Sequence, residues 1–190
     1  MKEEFPELQT SRLVLREINE KDLPTLFAIF SNEQTMKYYG SDIIQNMEEA
    51  EGILMSFRKG FENKQALRWG ISRKDTNEMI GTCGFHNWSK RVGRIEVGYD
   101  LIEEAEGRGY MSEALSAIIA YGFEEMQLNR IGALVHQENS ASRNLVRKLG
   151  FQEEGILRDY TFAGGKHIDL IMHSLLTKDW TKVRELEKKV

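Results

Sequence analysis

Between Gly93 and His136 the period of the sequence changes twice, and this limits the folds open to the chain. GRIEVGYDLI (93–102) alternates. Ile95, Val97, Tyr99 and Leu101 fall on one side, and Arg94, Glu96, Gly98 and Asp100 on the other, as in a strand with one apolar face. From Met111 the spacing becomes helical: Met111, Leu115, Ile118, Ile119, Gly122 and Met126 trace one stripe. RIGALVH (130–136) then reads as a short buried strand. A strand, a helix and a strand in succession need a crossover, and a crossover makes a parallel pair.

The segments on either side complete a mixed sheet. LRWGISR (67–73) and EMIGTCGFHNW (78–88) flank the turn-forming KDTN and lead into the 93–102 strand as an antiparallel meander. RLVLREI (12–18) alternates as a further strand. Two helices are expected before the meander. In EKDLPTLFAIFSN, Pro24 suits the first turn and Leu23, Leu26, Phe27 and Phe30 share a face. In NMEEAEGILMSFRKGFEN, Met47, Ile53, Leu54, Phe57 and Phe61 recur at helical spacing. Downstream, NSASRNLVRKLG (139–150) is a short helix that Asn139 or Ser140 can cap and Gly150 can end. A hairpin turns at Gly164-Gly165, and a charged helix, TKDWTKVRELEKKV, closes the chain. The expected fold is a mixed α/β (α+β) layer fold. With no linker, no repeat and two prolines in 190 residues, 1–190 reads as one domain.

Composition removes several classes of function. No apolar run reaches the ~18 residues of a membrane span, and MKEEFPELQTSR lacks the apolar centre of a signal peptide. The single cysteine, Cys83, allows neither an internal disulfide nor a cysteine-based zinc site, and a reducing cytoplasm fits it. A net charge of −4, with Lys and Arg scattered, argues against a nucleic-acid partner.

The stretch EEAEGRGYMSEAL (103–115) opens a helix on Gly107-Arg108-Gly109 with no Ser, Thr, Asp or Asn cap. A helix start carries unpaired N–H groups and partial positive charge, and glycines let a ligand approach the backbone. The amides of Gly107, Arg108, Gly109, Tyr110 and Met111 therefore form a candidate phosphate cradle. Glu103, Glu104 and Glu106 count against it, and Glu113 is placed to satisfy the helix dipole itself. A P-loop is excluded, because no G-x-x-x-x-G-K-[ST] is present. A dinucleotide fingerprint stays open: Ser112 stands where its third glycine belongs, but Glu138 is near the place of its acid.

Taken together, TSRLVLRE, IEVGYDL, EGRGYMSEAL, NRIGALVHQENSASRNLVRKLGFQEEGILRDY and HIDLIMHSLL resemble the GNAT superfamily of N-acetyltransferases, in its RimJ/RimL ribosomal-protein branch. The resemblance covers most of the chain in the family's order. It implies a mostly antiparallel seven-stranded sheet whose strands 93–102 and 130–136 splay apart. It also implies acetyl-coenzyme A as cofactor, bound at a Q/R-x-x-G-x-G/A segment that here reads Glu104-Ala105-Glu106-Gly107-Arg108-Gly109. The glycines match and the leading Gln/Arg does not. The cofactor's pantetheine arm would pair with backbone near Leu101 and Glu103 and touch Asn139. Arg143, Arg147 and Lys148 are candidates for its outer phosphates.

Acetyl transfer from a thioester to an amine needs an uncharged amine near the carbonyl carbon, a donor for the developing oxyanion and a proton for the leaving thiolate. A protein α-amine, with a pKa of about 7.7–8.0, loses its proton far more easily than lysine at about 10.4. A carboxylate is base enough. Glu96 is the first candidate: if Ile95, Val97 and Tyr99 pack on the 110–126 helix, Glu96 faces the acceptor groove. His86 is the second. A main-chain N–H near Gly98 or Tyr99 is the expected oxyanion donor, since a glycine within a strand often marks a bulge that frees an amide. Many family members protonate the thiolate with a tyrosine at the position held here by Val146. Ser142 matches a serine of the Rim-type pattern and can supply the proton instead. Cys83 as an acyl-carrying nucleophile is the rival mechanism, disfavoured by its apolar strand.

Tyr38, Tyr39, Trp88, Tyr160 and Phe162, with His86, are the expected walls of the acceptor site. The acids Glu48, Glu49 and Glu51 read as a solvated helix face that could also draw in a basic acceptor. The expected acceptor is a protein N-terminal amine, on a ribosomal protein if the resemblance holds in full. The alternatives are a small amine (polyamine, amino acid or antibiotic) or a catalytically silent acetyl-coenzyme A-binding module. Neither nucleic acid nor membrane is an expected partner; a homodimer is a family-level expectation.

Overall fold

The computed structural model describes residues 4–181. Two short antiparallel strands, β1 (Leu8–Gln9) and β2 (Leu13–Arg16), come first. Three helices follow: α1 (Leu23–Phe30), α2 (Glu33–Met36) and α3 (Met47–Glu62). Asn32 and Asn46 start α2 and α3 by accepting first-turn N–H groups, and Pro24 stands in the first turn of α1, where no N–H is needed. The meander is β3 (Leu67–Arg73), β4 (Met79–Ser89) and β5 (Arg94–Leu101). Then come α4 (Tyr110–Glu124), β6 (Arg130–His136), α5 (Ser140–Lys148), and the hairpin of β7 (Gln152–Ala163) and β8 (Lys166–Leu176).

The strands form one sheet in the order β1-β2-β3-β4-β5-β6-β8-β7, with β5–β6 its parallel pair. This is the expected mixed sheet with eight strands rather than seven. The additional strand is β1, whose two residues pair Leu8 with Leu15 and Gln9 with Val14, too short a run to show a period. The helix expected over 20–32 is shorter and is followed by the separate turn of α2, because Asn32 caps a new helical start. Met47, counted among the apolar face of α3, is exposed; it sits at the first position of the helix, beyond the core. Residues 177–181 are helical, and the rest of the expected closing helix lies outside the described residues. No helix among the described residues is long and apolar enough to cross a membrane.

Helices cover both sheet faces. Trp69, Phe85, Ile95, Val97 and Ile131 pack with Met111, Leu115 and Ile118 of α4 and Val146 of α5. On the other face Ile18 and Met79 meet Leu26 and Ile29 of α1 and Leu54 of α3.

The parallel pair is short: Arg94 is opposite Arg130, Ile95 opposite Ile131, and Glu96 opposite Gly132. Beyond that point β5 stays with β4 as far as Leu101, while β6 stays with β8 as far as His136. One edge of β5 from Val97 onward therefore faces no strand. Ile102 N–H donates to Ile80 O at 2.9 Å, toward β4. Strand alternation then turns the N–H groups of Leu101 and Tyr99 to the open edge.

Candidate active site

The opening of α4 is a main-chain cradle. Gly107 and Gly109 have φ of 70° and 78°, a left-handed conformation that costs glycine little. Gly109 is the N-cap and no side chain caps the helix. Among the described residues, the N–H groups of 107–112 make no hydrogen bond. Glu103, Glu104 and Glu106 are exposed and none closes the cradle.

Glu113 is the acidic residue in the first turn of α4, as expected, but its carboxylate caps none of the helix N–H groups. Its carboxylate accepts from Thr10 Oγ1 at 2.6 Å, Ser11 Oγ at 2.8 Å, and Arg12 N and Nε at 2.8 and 2.6 Å. Against the cost of its own burial, these bonds hold its pKa down at about 2. Arg12 also donates to Arg108 O at 3.0 Å and lies over the Tyr110 ring at 4.6 Å. The β1–β2 turn thus fastens the cradle from behind and leaves its N–H groups open. Glu113→Ala should destabilise the protein by about 1–3 kcal/mol, since several donors lose a charged acceptor. Because folding lowers this pKa, its contribution is complete above the unfolded value near 4.5 and fades as pH falls toward 2. Thermal melts should therefore separate variant from wild type near neutral pH and converge in acid.

From the cradle a cleft of about 1670 Å³ runs over the open edge of β5 and on beneath α2, α3 and the β7–β8 hairpin. Leu101, Tyr99, Glu106, Gly107 and Met111 line it, with Asn139 and Ser142 of α5 across the gap. Asn139 Oδ1 caps α5 by accepting Ser142 N–H at 2.9 Å, so the capping reading holds. Its Nδ2 makes no hydrogen bond among the described residues. The Tyr99 hydroxyl lies 2.7 Å from Ser142 Oγ. Burial pushes the phenol up to about 12, against the pull of that bond, so it stays protonated at neutral pH. The sequence pointed to Tyr99 for its main chain; its side chain also reaches the gap. Val146 is fully buried in the core, away from it.

On the far side of β5, Glu96 lines the same cleft, as its alternation with the buried Ile95 and Val97 requires. Asn87 Nδ2 donates to Glu96 Oε2 at 2.9 Å, and His86 Nε2 lies 3.6 Å from that oxygen. Burial lowers the His86 pKa, Glu96 opposes this and Arg68 adds to it, so His86 is neutral at pH 7. Tyr38, Tyr39 and Tyr160 also line the cleft. Gly98 does not mark a bulge: it pairs in register with Gly84. The open N–H groups come from the strand splay instead. Gly98 makes room, since a Cβ there would stand 3.0 Å from Arg68 Nη1.

Two expected wall residues, Trp88 and Phe162, lie outside the cleft lining. Trp88 packs against the core because β4 shifts register between His86 and Ser89, with Asn87 at φ 53°, which turns Trp88 off the His86 face. Phe162 is exposed against His167. Arg143 and Arg147 face Glu153, at 3.4 and 3.8 Å, and Lys148 is exposed. Cys83 is buried, and burial pushes its thiol up to about 12, which leaves it no nucleophile. Sequence reasoning missed the buried Arg68 and Asp100 on the cleft floor and Thr82 behind them. The only cue was Asp100 on the groove side of β5; nothing in LRWGISR set Arg68 apart.

Comparison with known proteins matches residues 12–152 to the model of an acetyltransferase (GNAT) domain. The Bacillus subtilis N-acetyltransferase YoaA is 41% identical, over 90% of this chain and 97% of its own. The Escherichia coli [ribosomal protein uS5]-alanine N-acetyltransferase is 29% identical over 93% and 94%. RimL, a ribosomal L7/L12 α-N-protein acetyltransferase solved with coenzyme A, superposes with a TM-score of 0.80 over 90% of this chain and 98% of its own, at 21% identity, a likeness of fold.

Proposed function

The chain belongs to the GNAT family of acetyltransferases and is an acetyl-coenzyme A-dependent N-acetyltransferase; from that premise we propose that its acceptor is the α-amino group at a protein N-terminus. The residues suit the cofactor. The unpaired N–H groups of 107–111 suit its pyrophosphate, and the open edge of β5 with Asn139 opposite suits its amide-bearing arm. When bound, acetyl-coenzyme A supplies an acetyl thioester.

The observation that carries the reading is the single cleft joining that edge to Glu96 and His86. Glu96, fixed by Asn87 and beside neutral His86, takes the proton from the acceptor amine, directly or through water. Tyr99 N–H donates to the carbonyl oxygen as charge develops there. Ser142, bonded to a phenol that stays protonated, gives a proton to the departing sulfur. The new bond is amine nitrogen to acetyl carbon; the bond broken is carbon to sulfur. A base this modest suits an α-amine better than a lysine side chain. The ribosomal-protein alanine N-acetyltransferase activity named for the Escherichia coli relative supports the same acceptor class. A ribosomal-protein acceptor would put the enzyme in the cytoplasm, where ribosomes assemble.

Ser142→Ala should lower kcat by about tenfold or more with little change in coenzyme A affinity, and Tyr99→Phe should do so less strongly. Single-turnover rates and calorimetry separate the two effects. The acceptor itself is tested by thiol release with N-terminal peptides, spermidine, free amino acids and aminoglycosides. Turnover confined to the peptides supports the reading. Turnover confined to a small amine, or none with tight cofactor binding, contradicts it.

A further inference from the structure

Arg68, on the cleft floor with Asp100, has no part in the chemistry above. It is 8% exposed, yet it lines the cleft. Its Nε donates to Thr82 Oγ1 at 2.7 Å, and its Nη2 donates to Asp100 and, at 3.4 Å, to the Tyr39 hydroxyl. Thr82 in turn donates to Asp100 Oδ1 at 2.9 Å, and the Phe57 ring stacks 5.5 Å from Arg68 Cζ. A guanidinium held at two of its three nitrogens cannot swing. The third, Nη1, makes no hydrogen bond among the described residues and is not sealed from the cleft. It stands over Gly98: a Cβ built there would lie 3.0 Å from Nη1 and 3.4 Å from His86 Cε1. Nη1 and the His86 ring therefore wall one small space, and Glu96 is beside His86.

We infer that Arg68 Nη1 selects the acceptor, by donating to a carbonyl oxygen one carbon beyond the carbon that bears the amine. The inference rests on the acetyl-transfer site proposed above. A fixed, charged donor left without an acceptor is costly once substrate excludes water. In an N-terminal residue the amine nitrogen and the first carbonyl oxygen are separated by two carbons, and lie about 3 Å apart in suitable rotamers. An amine placed at His86 and Glu96 thus carries its own acceptor to Nη1. A polyamine brings only donors and positive charge to the same point. Glu96 attracts either kind of amine, so it cannot make this distinction.

The test compares three acceptors: the peptide Ala-Ala-Ala-amide, its (E)-alkene isostere at the first peptide bond, and spermidine. All are assayed above the pKa of each N-terminal amine. For the wild type, kcat/KM for the peptide should exceed that for the isostere by about tenfold or more, the loss of one charge-assisted bond. In Arg68→Met/Asp100→Asn, which leaves no unpaired buried carboxylate, the ratio should fall toward one through loss of the peptide rate alone. Gly98→Ala keeps both charges but crowds Nη1, and should shrink the ratio if the double variant does not fold. A structural defect would lower both rates together and leave the ratio intact. A wild-type ratio near one, or a ratio preserved in the variants, overturns the role of Arg68. Acetylation of spermidine with neither peptide overturns the N-terminal acceptor itself.

Discussion

Glu96→Gln is expected to lower kcat/KM for an N-terminal peptide by about 10²–10³-fold while coenzyme A affinity stays unchanged. The substitution keeps the side chain's size but removes the proton acceptor from the position where Asn87 fixes it. The variant must then wait for amine that has already lost its proton in solution. For an α-amine of pKa about 7.7–8.0 that fraction rises steeply between about pH 7 and pH 9. The variant's rate should climb through that interval, whereas the wild type, with base supplied, should change less. His86, neutral because burial lowers its pKa, is available to provide the residual activity. Removing it as well should cost further rate in the Glu96→Gln background. Thiol release measured across pH decides the matter: wild-type kinetics in Glu96→Gln would take Glu96 out of the reaction.

Gly109→Val should weaken coenzyme A binding by about 10–100-fold, with a smaller loss of stability. At φ 78° a β-branched residue is strained by about 1–3 kcal/mol, and the turn relieves the strain by moving to negative φ. There is space for the side chain, since a Cβ meets only Arg12 Nη2 at 3.5 Å, so the fault is one of backbone direction rather than of collision. Redirecting the peptides on either side of residue 109 disperses N–H groups that now converge at the start of α4. Calorimetric titration with coenzyme A, beside a melt that shows the fold intact, reads this directly. Retained affinity would place the pyrophosphate somewhere else.

The sheet was legible wherever alternation ran for several residues. The strand 93–102 shows why: its apolar side fixed the α4 face, and with it the side on which Glu96 had to lie. The crossover gave the parallel pair, and the uncapped Gly-Arg-Gly turn gave the cradle. Interactions between distant segments were not legible. Nothing near Glu113 shows that Thr10, Ser11 and Arg12, about a hundred residues earlier, donate to its carboxylate. The register shift after His86 depends on one left-handed asparagine, and it removed Trp88 from the acceptor wall that an unbroken alternation had assigned it to. Arg68 and Asp100 are 32 residues apart, and only the pairing of β3, β4 and β5 brings them together around Thr82. Gly98 looked like a bulge because sequence shows that a side chain is missing but not what occupies its place.

The central claim is that main-chain N–H groups at the start of α4 hold the cofactor so that its acyl end lies along the open edge of β5, on the way to Glu96. A crystal structure of the protein with coenzyme A tests it most directly. The predicted result has pyrophosphate oxygens within hydrogen-bond reach of the N–H groups of residues 107–111 and the pantetheine arm between β5 and β6. A pyrophosphate bound elsewhere, or an arm lying outside the gap between those strands, would contradict it.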